Sequence, residues 1–329
     1  MGTKTAKSEK TLYDYQLEDL NKIFTCLDES PDDINLLYQL PTGGGKTVIF
    51  SEIAKRYIAQ TGKKVVVLTH RIELSLQTSR MLEGFGVHNK IINSEVKELP
   101  DEDQYQCFVA MVETLNNRLQ EKAIELHGIG LVIIDEAHYN SFRKLFKYFE
   151  NSIILGVTAT PLSSNIKLPM KDHYKKLIVG ESIANLIQKK FLAKANMYSY
   201  DVSLKSLKLG IHGDYTVRSS DELYSNHQML GKLVGAYEEL AKGTKTLIFN
   251  NGISTSKYVY EIFKKAGYPI RHLDNKNTAS ERREILEWFS STPDAILTSV
   301  SILTTGFDEP SVETIILNRA TRSLRPGGP

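Results

Sequence analysis

The densest chemistry in this chain lies in one run of eight residues, Leu40-Pro41-Thr42-Gly43-Gly44-Gly45-Lys46-Thr47. Three consecutive glycines carry no Cβ, so successive backbone N–H groups can converge on phosphate oxygens, and a helix beginning at Lys46 adds the positive end of its dipole. Thr42, Gly43, Gly44 and Gly45 then form a phosphate cradle. From that position Lys46 reaches the β and γ phosphates of a nucleoside triphosphate, and the Thr47 hydroxyl can ligate Mg²⁺. The strict form of such a loop opens on glycine, where this chain has Leu40. A glycine-rich turn with an incidental lysine is the bland alternative. It is disfavoured by an apolar run immediately before the loop and an amphipathic stretch immediately after it.

A second cluster, Asp135-Glu136-Ala137-His138, closes the apolar run Leu131-Val132-Ile133-Ile134. If that run is a parallel strand, its C-terminal end is where an open α/β sheet gathers ligands. Asp135 can hold Mg²⁺ directly or through water, and Glu136 is placed to orient and deprotonate the water that attacks the γ-phosphate. Adjacent acids at a strand end could instead cap a following helix. The phosphate loop in the same chain favours the catalytic reading.

Positioning these groups requires strands, and short β-branched runs alternate with amphipathic stretches in the pattern of βα units. Strands are predicted over residues 34–38, 65–69, 107–111, 131–135 and 153–157, then over 246–249, 270–273, 295–298 and 314–317, with a helix over 280–289. The α/β pattern therefore occurs twice, separated by a lysine- and tyrosine-rich stretch over 162–243. A boundary near residue 195 divides the chain into a polar tail over 1–11, a first α/β domain over 12–195 and a second over 196–329.

Composition sets outer bounds. The 329 residues include 41% hydrophobic residues, enough for an ordinary core in each half, and no apolar run approaches the roughly 18 residues of a membrane span. A net charge of +2, from 41 basic and 39 acidic residues, neither announces nor excludes a polyanionic partner. Cys26 and Cys107 have no spacing for a zinc knuckle or disulfide framework and read as reduced, buried thiols. Lys171, Lys175, Lys176, Lys189 and Lys190 read as a solvated face, and Trp288 with Phe289 as packing against the second sheet. With no apolar leader over the first ten residues, a cytoplasmic, nucleoid-associated location is expected if the protein is bacterial.

With these residues in hand, the chain resembles superfamily 2 helicases and translocases over nearly its whole length. Lys46 and Thr47 fall in motif I, and Asp135, Glu136, Ala137 and His138 spell motif II in its Asp-Glu-Ala-His form. Thr158-Ala159-Thr160 matches motif III, which in that family couples the ATP site to nucleic acid. Leu68-Thr69-His70-Arg71 with Glu73 and Gln77 resembles motif Ia, and Glu113-Thr114-Leu115 motif Ib. Leu247-Ile248-Phe249 matches motif IV, and Thr305-Gly306-Phe307-Asp308 motif V. Within the superfamily the chain is most similar to the RadD, XPB-like and type III restriction Res-subunit group. His70 to Gln77, Gly180-Glu181-Ser182 and Gly306 to Pro310 carry that likeness.

The resemblance implies two tandem RecA-like P-loop domains with parallel sheets and an ATP cleft between them. It implies an ATP-dependent DNA helicase or translocase, in repair or restriction, using ATP and Mg²⁺. It places Lys46, Asp135, Glu136, His138 and Arg325 in catalysis, Gly306 and Asp308 at the nucleotide, and Thr158, Ala159 and Thr160 in coupling. His70, Arg71, Thr114, Asn250 and Thr298 would hold the nucleic-acid backbone with little sequence preference. Where relatives have Arg-Pro-Tyr-Gln, this chain has Tyr13-Asp14-Tyr15-Gln16; Gln16 can pair with the adenine edge and Tyr13 stack on the base. Motif VI is incomplete: the run from Asn318 to Gly327 lacks its glutamine and glycine, and Arg325 stands for the arginine finger. DNA is implied by resemblance only, since residue chemistry alone admits RNA. An ATP-gated nucleic-acid binder that does not unwind, and a P-loop enzyme indifferent to nucleic acid, remain the alternatives.

Overall fold

A computed structural model describes residues 11–29, 35–163, 165, 167–210, 214–300 and 309–320. The chain divides into two compact units, Met1–Asn196 and Met197–Pro329.

The first unit is built on a seven-stranded parallel sheet. Its strands are β1 (Leu36–Gln39), β2 (Lys64–Thr69), β3 (Asn89–Ile92), β4 (Cys107–Met111), β5 (Ile129–Asp135), β6 (Ile153–Thr158) and β7 (Lys176–Val179), in the order β3-β4-β2-β5-β6-β1-β7. The helices are α1 (Asp14–Glu29), α2 (Lys46–Thr61), α3 (Ile72–Gly84), α4 (Val112–Gln120) and α5 (Ile183–Gln188). Strand runs such as Val65-Val66-Val67-Leu68 are continuously apolar because both faces of a parallel sheet are covered. Their two-residue period divides them between two cores. Val65, Val67, Ile133 and Leu155 pack with Leu20, Ile49 and Phe50 on one side, and Val66, Leu68, Val132 and Ile134 with Phe108, Leu115 and Phe142 on the other.

Strand order determines which loops meet. β6 lies between β5 and β1, with Asp135 opposite Val157 and Gln39 opposite Thr158. The segments leaving β1, β5 and β6 therefore emerge side by side at the C-terminal edge. These are the phosphate loop, the acid pair and the Thr158-Ala159-Thr160 run.

The second unit carries α6 (Val217–Tyr224), α7 (His227–Leu240), β8 (Thr246–Asn250), α8 (Ile253–Lys265), β9 (Ile270–Leu273), α9 (Ala279–Ser291), β10 (Ile296–Val300) and β11 (Thr314–Asn318), its parallel sheet ordered β11-β8-β10-β9. Leu230, Tyr237, Val259 and Phe263 cover one face. Phe289 of α9, with Leu247, Phe249 and Leu297, fills the other, as expected for that aromatic. Trp288 lies beside it under the Arg271 guanidinium, 4.8 Å from the ring centroid. Thr278 and Glu281 close a reciprocal capping box at the start of α9.

All the expected strands are present, with ends displaced by at most two residues. β3 and β7 were not anticipated. Both are four-residue edge strands: β3 reads Asn-Lys-Ile-Ile, and β7 carries the apolar run Leu177-Ile178-Val179 but buries only Ile178. Lys175 and Lys176 introduce β7 and are exposed, while Lys189 pairs with Glu181 at 2.7 Å. Cys26 and Cys107 are buried and unbridged. Among the described residues no helix is long and apolar enough to cross a membrane.

Candidate nucleotide site

Backbone geometry sets the phosphate loop. Gly43 and Gly45 adopt φ of 81° and 82°, in the left-handed region where a side chain is strained. Space is equally tight: a Cβ on Gly43 would stand 2.7 Å from the Leu192 side chain, and one on Gly45 2.6 Å from Gln16 Nε2. The loop is pinned from below, since Leu40 N donates to Thr158 O at 3.0 Å and Tyr15 Oη donates to Gly44 O at 2.8 Å. Gly45 caps α2, so Lys46 and Thr47 are the first two residues of that helix.

The Lys46 side chain is 9% exposed, and its Nζ stands 3.8 Å from Glu136 Oε1. That separation is at the outer limit of an ion pair, and it leaves the ammonium free to take a shorter anionic partner. Glu136 holds φ of 53°, an uncommon conformation for a residue with a Cβ and one that gathers at functional sites. Its N–H donates to Asp135 Oδ1 at 3.0 Å, and the following turn closes with Tyr139 N donating to Glu136 O at 3.1 Å.

His138 orders the cluster. Thr158 Oγ1 spends its proton on Thr160 O at 3.1 Å, so the 3.0 Å contact from His138 Nδ1 to the same oxygen requires Nδ1 to carry the hydrogen. Nδ1 also lies 3.3 Å from Glu136 Oε2. One imidazole thus ties the acid pair to the Thr158-Ala159-Thr160 run.

The two acids are pushed in opposite directions. Burial, then the charge of Glu136, raises the Asp135 carboxyl to about 6. Burial alone would raise Glu136 too, but the His138 hydrogen bond and the Lys46, His138 and His70 charges outweigh it and bring it below its usual value. Glu136 is therefore ionised at neutral pH, as a base must be, whereas Asp135 bears a charge that burial penalises and a cation would relieve. A glycine cradle, a loosely paired buried lysine and a penalised buried carboxylate together fit a nucleoside triphosphate with a divalent metal.

Aromatic residues crowd one side of the loop. Tyr13 is 53% exposed. Its ring stacks on Tyr15 at 6.0 Å and meets Phe191 at 4.5 Å, and Tyr15 meets Phe191 at 5.0 Å. Gln16 is buried, its Oε1 accepting from Tyr13 N at 3.0 Å. Tyr38 Oη donates to Asp19 Oδ2 at 2.7 Å, fixing α1 to β1 beneath this group. Phe191, Leu192, Tyr15 and Asp19 were not singled out from sequence. Tyr15 was visible beside Gln16, but Phe191 and Leu192 follow the lysines Lys189 and Lys190 with no periodicity to mark them.

On the other side of the acid pair, Arg71 caps α3 after β2, and Thr114 is the third residue of α4 after β4. β2 and β4 are paired neighbours with Thr69 opposite Met111, so both residues leave the same edge. His70 departs from expectation. Among the described residues no protein group reaches either ring nitrogen, and both are buried, so in this conformation they are not presented to a passing phosphate. Burial, then the Arg71 charge, holds the imidazole below its usual pKa.

Asn250 and Thr298 require a fuller correction, because both are wholly buried. Asn250 Nδ2 donates to Thr298 Oγ1 at 2.9 Å, and Asn318 Nδ2 donates to Asn250 Oδ1 at 2.8 Å. Asn250 closes β8 and Thr298 is the middle residue of β10, and their polar atoms are consumed by neighbouring strands and by Ser256 of α8 rather than offered to a ligand. Gly306, Asp308 and Arg325 lie outside the described residues.

Parallel α/β topology with this loop and acid pair defines a P-loop nucleotide-binding protein. Residues 9–163 match the family described as "Type III restriction enzyme, res subunit", and residues 226–325 match "Helicase conserved C-terminal domain". A 51.5 kDa protein of a Lactococcus phage is 29% identical over 292 residues, covering 88% of this chain and 60% of its own length. Among solved structures, the ATP-dependent Type ISP restriction-modification enzyme LlaBIII, bound to DNA, superposes with a TM-score of 0.65 at 18% identity, over 96% of this chain and 26% of that one. Saccharomyces cerevisiae Dbp5, bound to RNA and ADP BeF3, gives 0.54 at 16% identity, over 93% and 78%. The chain belongs to the superfamily 2 helicases and has their two RecA-like folds. It spans less than two thirds of the phage relative.

Proposed function

We propose that this chain is an ATP-dependent motor on nucleic acid, a helicase or translocase. The observation that carries the reading is the convergence of Lys46, Asp135, Glu136 and His138 with Thr158 beside a glycine cradle at one sheet edge. Lys46 binds the β and γ phosphates, and Gln16 with Tyr13 receives the adenine. Mg²⁺, held by Thr47 and Asp135, would neutralise phosphate charge when bound. Glu136, kept ionised by His138 and Lys46, takes the proton of the attacking water. Arg325 is the proposed finger and Gly306 with Asp308 the proposed second-unit contact to nucleotide, on the residues of motifs VI and V alone.

The track lies across the edge carrying Arg71 and Thr114, where backbone contacts would give little sequence preference. DNA is the proposed polymer, in repair or restriction; the likeness to a DNA-bound restriction enzyme supports DNA, and the likeness to RNA-bound Dbp5 keeps RNA in the test. A second reading, an ATP-gated binder that does not unwind, is favoured by the missing glutamine and glycine of motif VI.

Steady-state phosphate release, measured with and without single-stranded DNA, duplex DNA and single-stranded RNA, tests the proposal. Stimulation of several-fold by DNA is expected. Stimulation by RNA alone would change the track, binding without stimulation would favour the gated binder, and no binding to either polymer would refute the motor.

A further inference from the structure

Between the acid pair and the edge that carries Arg71 lies a continuous stack of three rings. Tyr139 meets His138 at a centroid distance of 4.3 Å and His70 at 4.7 Å. His138 is bonded to Thr158 and stands beside Glu136, and His70 immediately precedes Arg71, the N-cap of α3. We propose that Tyr139 is a positioning residue that transmits nucleic-acid engagement of the loop carrying His70 and Arg71 to the Glu136–His138 pair. The inference rests on the motor reading above and adds to it the side chain through which polymer would govern turnover.

Three features favour transmission over mere packing. Rings in contact restrict one another, so movement of the half-buried His70 bears directly on the half-buried Tyr139 ring. Tyr139 is also anchored at its far side. It packs against the core that contains Phe142, and the next residue, Asn140, donates from Nδ2 to Ser163 Oγ at 3.0 Å, in the segment that follows Thr160. Any shift of Tyr139 is therefore felt at both segments that position His138. Lastly, His70 is under tension where it stands. Among the described residues both of its ring nitrogens are buried with no protein partner, an unfavourable setting for polar atoms. A phosphate oxygen arriving at the neighbouring Arg71 would offer one nitrogen a partner and draw the ring out. That supplies the differential interaction a switch between two states requires.

Glu136 is the natural end of the chain. Its backbone is held at φ of 53° by the turn that the main-chain N–H of residue 139 closes, and the Tyr139 ring reaches the carboxylate through His138. The role needs the ring and not the phenol, since the side-chain contacts invoked are ring-to-ring, to His138 and His70.

The test compares Tyr139→Ala with Tyr139→Phe in the full chain. The readouts are the ratio of DNA-stimulated to basal phosphate release and the affinity for a fluorescent single-stranded oligonucleotide. The ratio should fall to near one in Tyr139→Ala while oligonucleotide affinity stays within about threefold, and Tyr139→Phe should keep the wild-type ratio. A purely structural tyrosine would lower basal and stimulated turnover together and leave the ratio intact, which would overturn the proposal. So would loss of the ratio in Tyr139→Phe, because the phenol would then be the active feature. If Tyr139→Ala fails to fold, Tyr139→Leu replaces it: an unchanged ratio refutes the relay and a collapsed one supports it. Absence of stimulation in the wild-type protein would instead strike the motor reading itself.

Discussion

The two units end their parallel strands in polar residues, yet those residues do opposite things. At the edge of the second unit, Asn318, Asn250, Thr298, Ser256, His272 and Asp274 form an unbroken line of hydrogen bonds. Every member finds a partner within the protein, and Asn250, Ser256 and Thr298 are wholly buried. At the edge of the first unit, Lys46 is held by a 3.8 Å contact, Asp135 is a carboxylate whose charge burial opposes, and His70 has two nitrogens with no protein partner. A strand end in an α/β sheet is thus only a place where a ligand could bind. What separates a binding edge from a structural one is whether its polar groups are already satisfied.

This contrast can be broken by substitution. Lys46→Ala and Glu136→Gln should each reduce ATP turnover by on the order of 10²- to 10⁴-fold, but only Lys46→Ala should also lose the nucleotide. Phosphate release together with a nucleotide-binding titration separates them. Turnover within tenfold of wild type in either variant would remove that residue from the site.

Asp135→Asn tests the penalty directly. The Asp135 carboxyl is raised to about 6 in the folded protein against an ordinary 3.8, so the folded state binds its proton more tightly than the unfolded chain does. Below pH 3.8 the group is protonated in both states and costs nothing. As pH rises through about 6 the folded state is progressively destabilised, by up to roughly 3 kcal/mol. In EDTA at pH 7.5, Asp135→Asn should therefore raise the Tm by several degrees, with the gain vanishing near pH 4. ATP turnover of the wild-type protein should fall as pH drops below about 6. A destabilised Asp135→Asn at pH 7.5 would contradict the assigned burial penalty.

The second edge should respond in the other direction. Thr298→Val leaves Asn250 Nδ2 and Ser256 Oγ each short of a partner, and thermal unfolding should reveal a loss of about 1–3 kcal/mol. Next in size, Phe191→Ala should raise the KM for ATP a few-fold with kcat little changed, as an aromatic contact of about 0.5–1.5 kcal/mol is lost from the Tyr13 group. Smallest, Arg71→Ala should flatten the salt dependence of DNA binding by about one counterion.

The sequence made the first edge readable because its chemistry is local. Glycines, lysine and threonine are contiguous in the loop, and the acids follow their strand without interruption. The same reading misjudged Asn250 and Thr298, since a polar residue in or at the end of a strand looks alike in sequence whether it faces solvent or another element of the protein. The difference lies in Asn318, which strand register sets opposite Asn250, and in Ser256, which α8 brings against Thr298. His70 was misplaced for a related reason: its stacking partner Tyr139 belongs to another strand end. Phe191 escaped because an aromatic that packs on Tyr13 and Tyr15, far earlier in the chain, leaves no periodic trace among lysines. β3 and β7 were missed because each is only four residues long and lies at a sheet edge, where a short apolar run such as Leu177-Ile178-Val179 is not distinguished from a loop.

The most direct test of the difference between the two edges is the binding of ATP with Mg²⁺ to wild-type protein, Lys46→Ala and Thr298→Val, measured by isothermal titration calorimetry at a temperature where all three are folded. Saturable binding that Lys46→Ala abolishes and Thr298→Val retains within about threefold is the expected result. Equal binding by Lys46→Ala and wild type, or loss of binding in a folded Thr298→Val, would contradict the assignment of the ligand edge to the first unit.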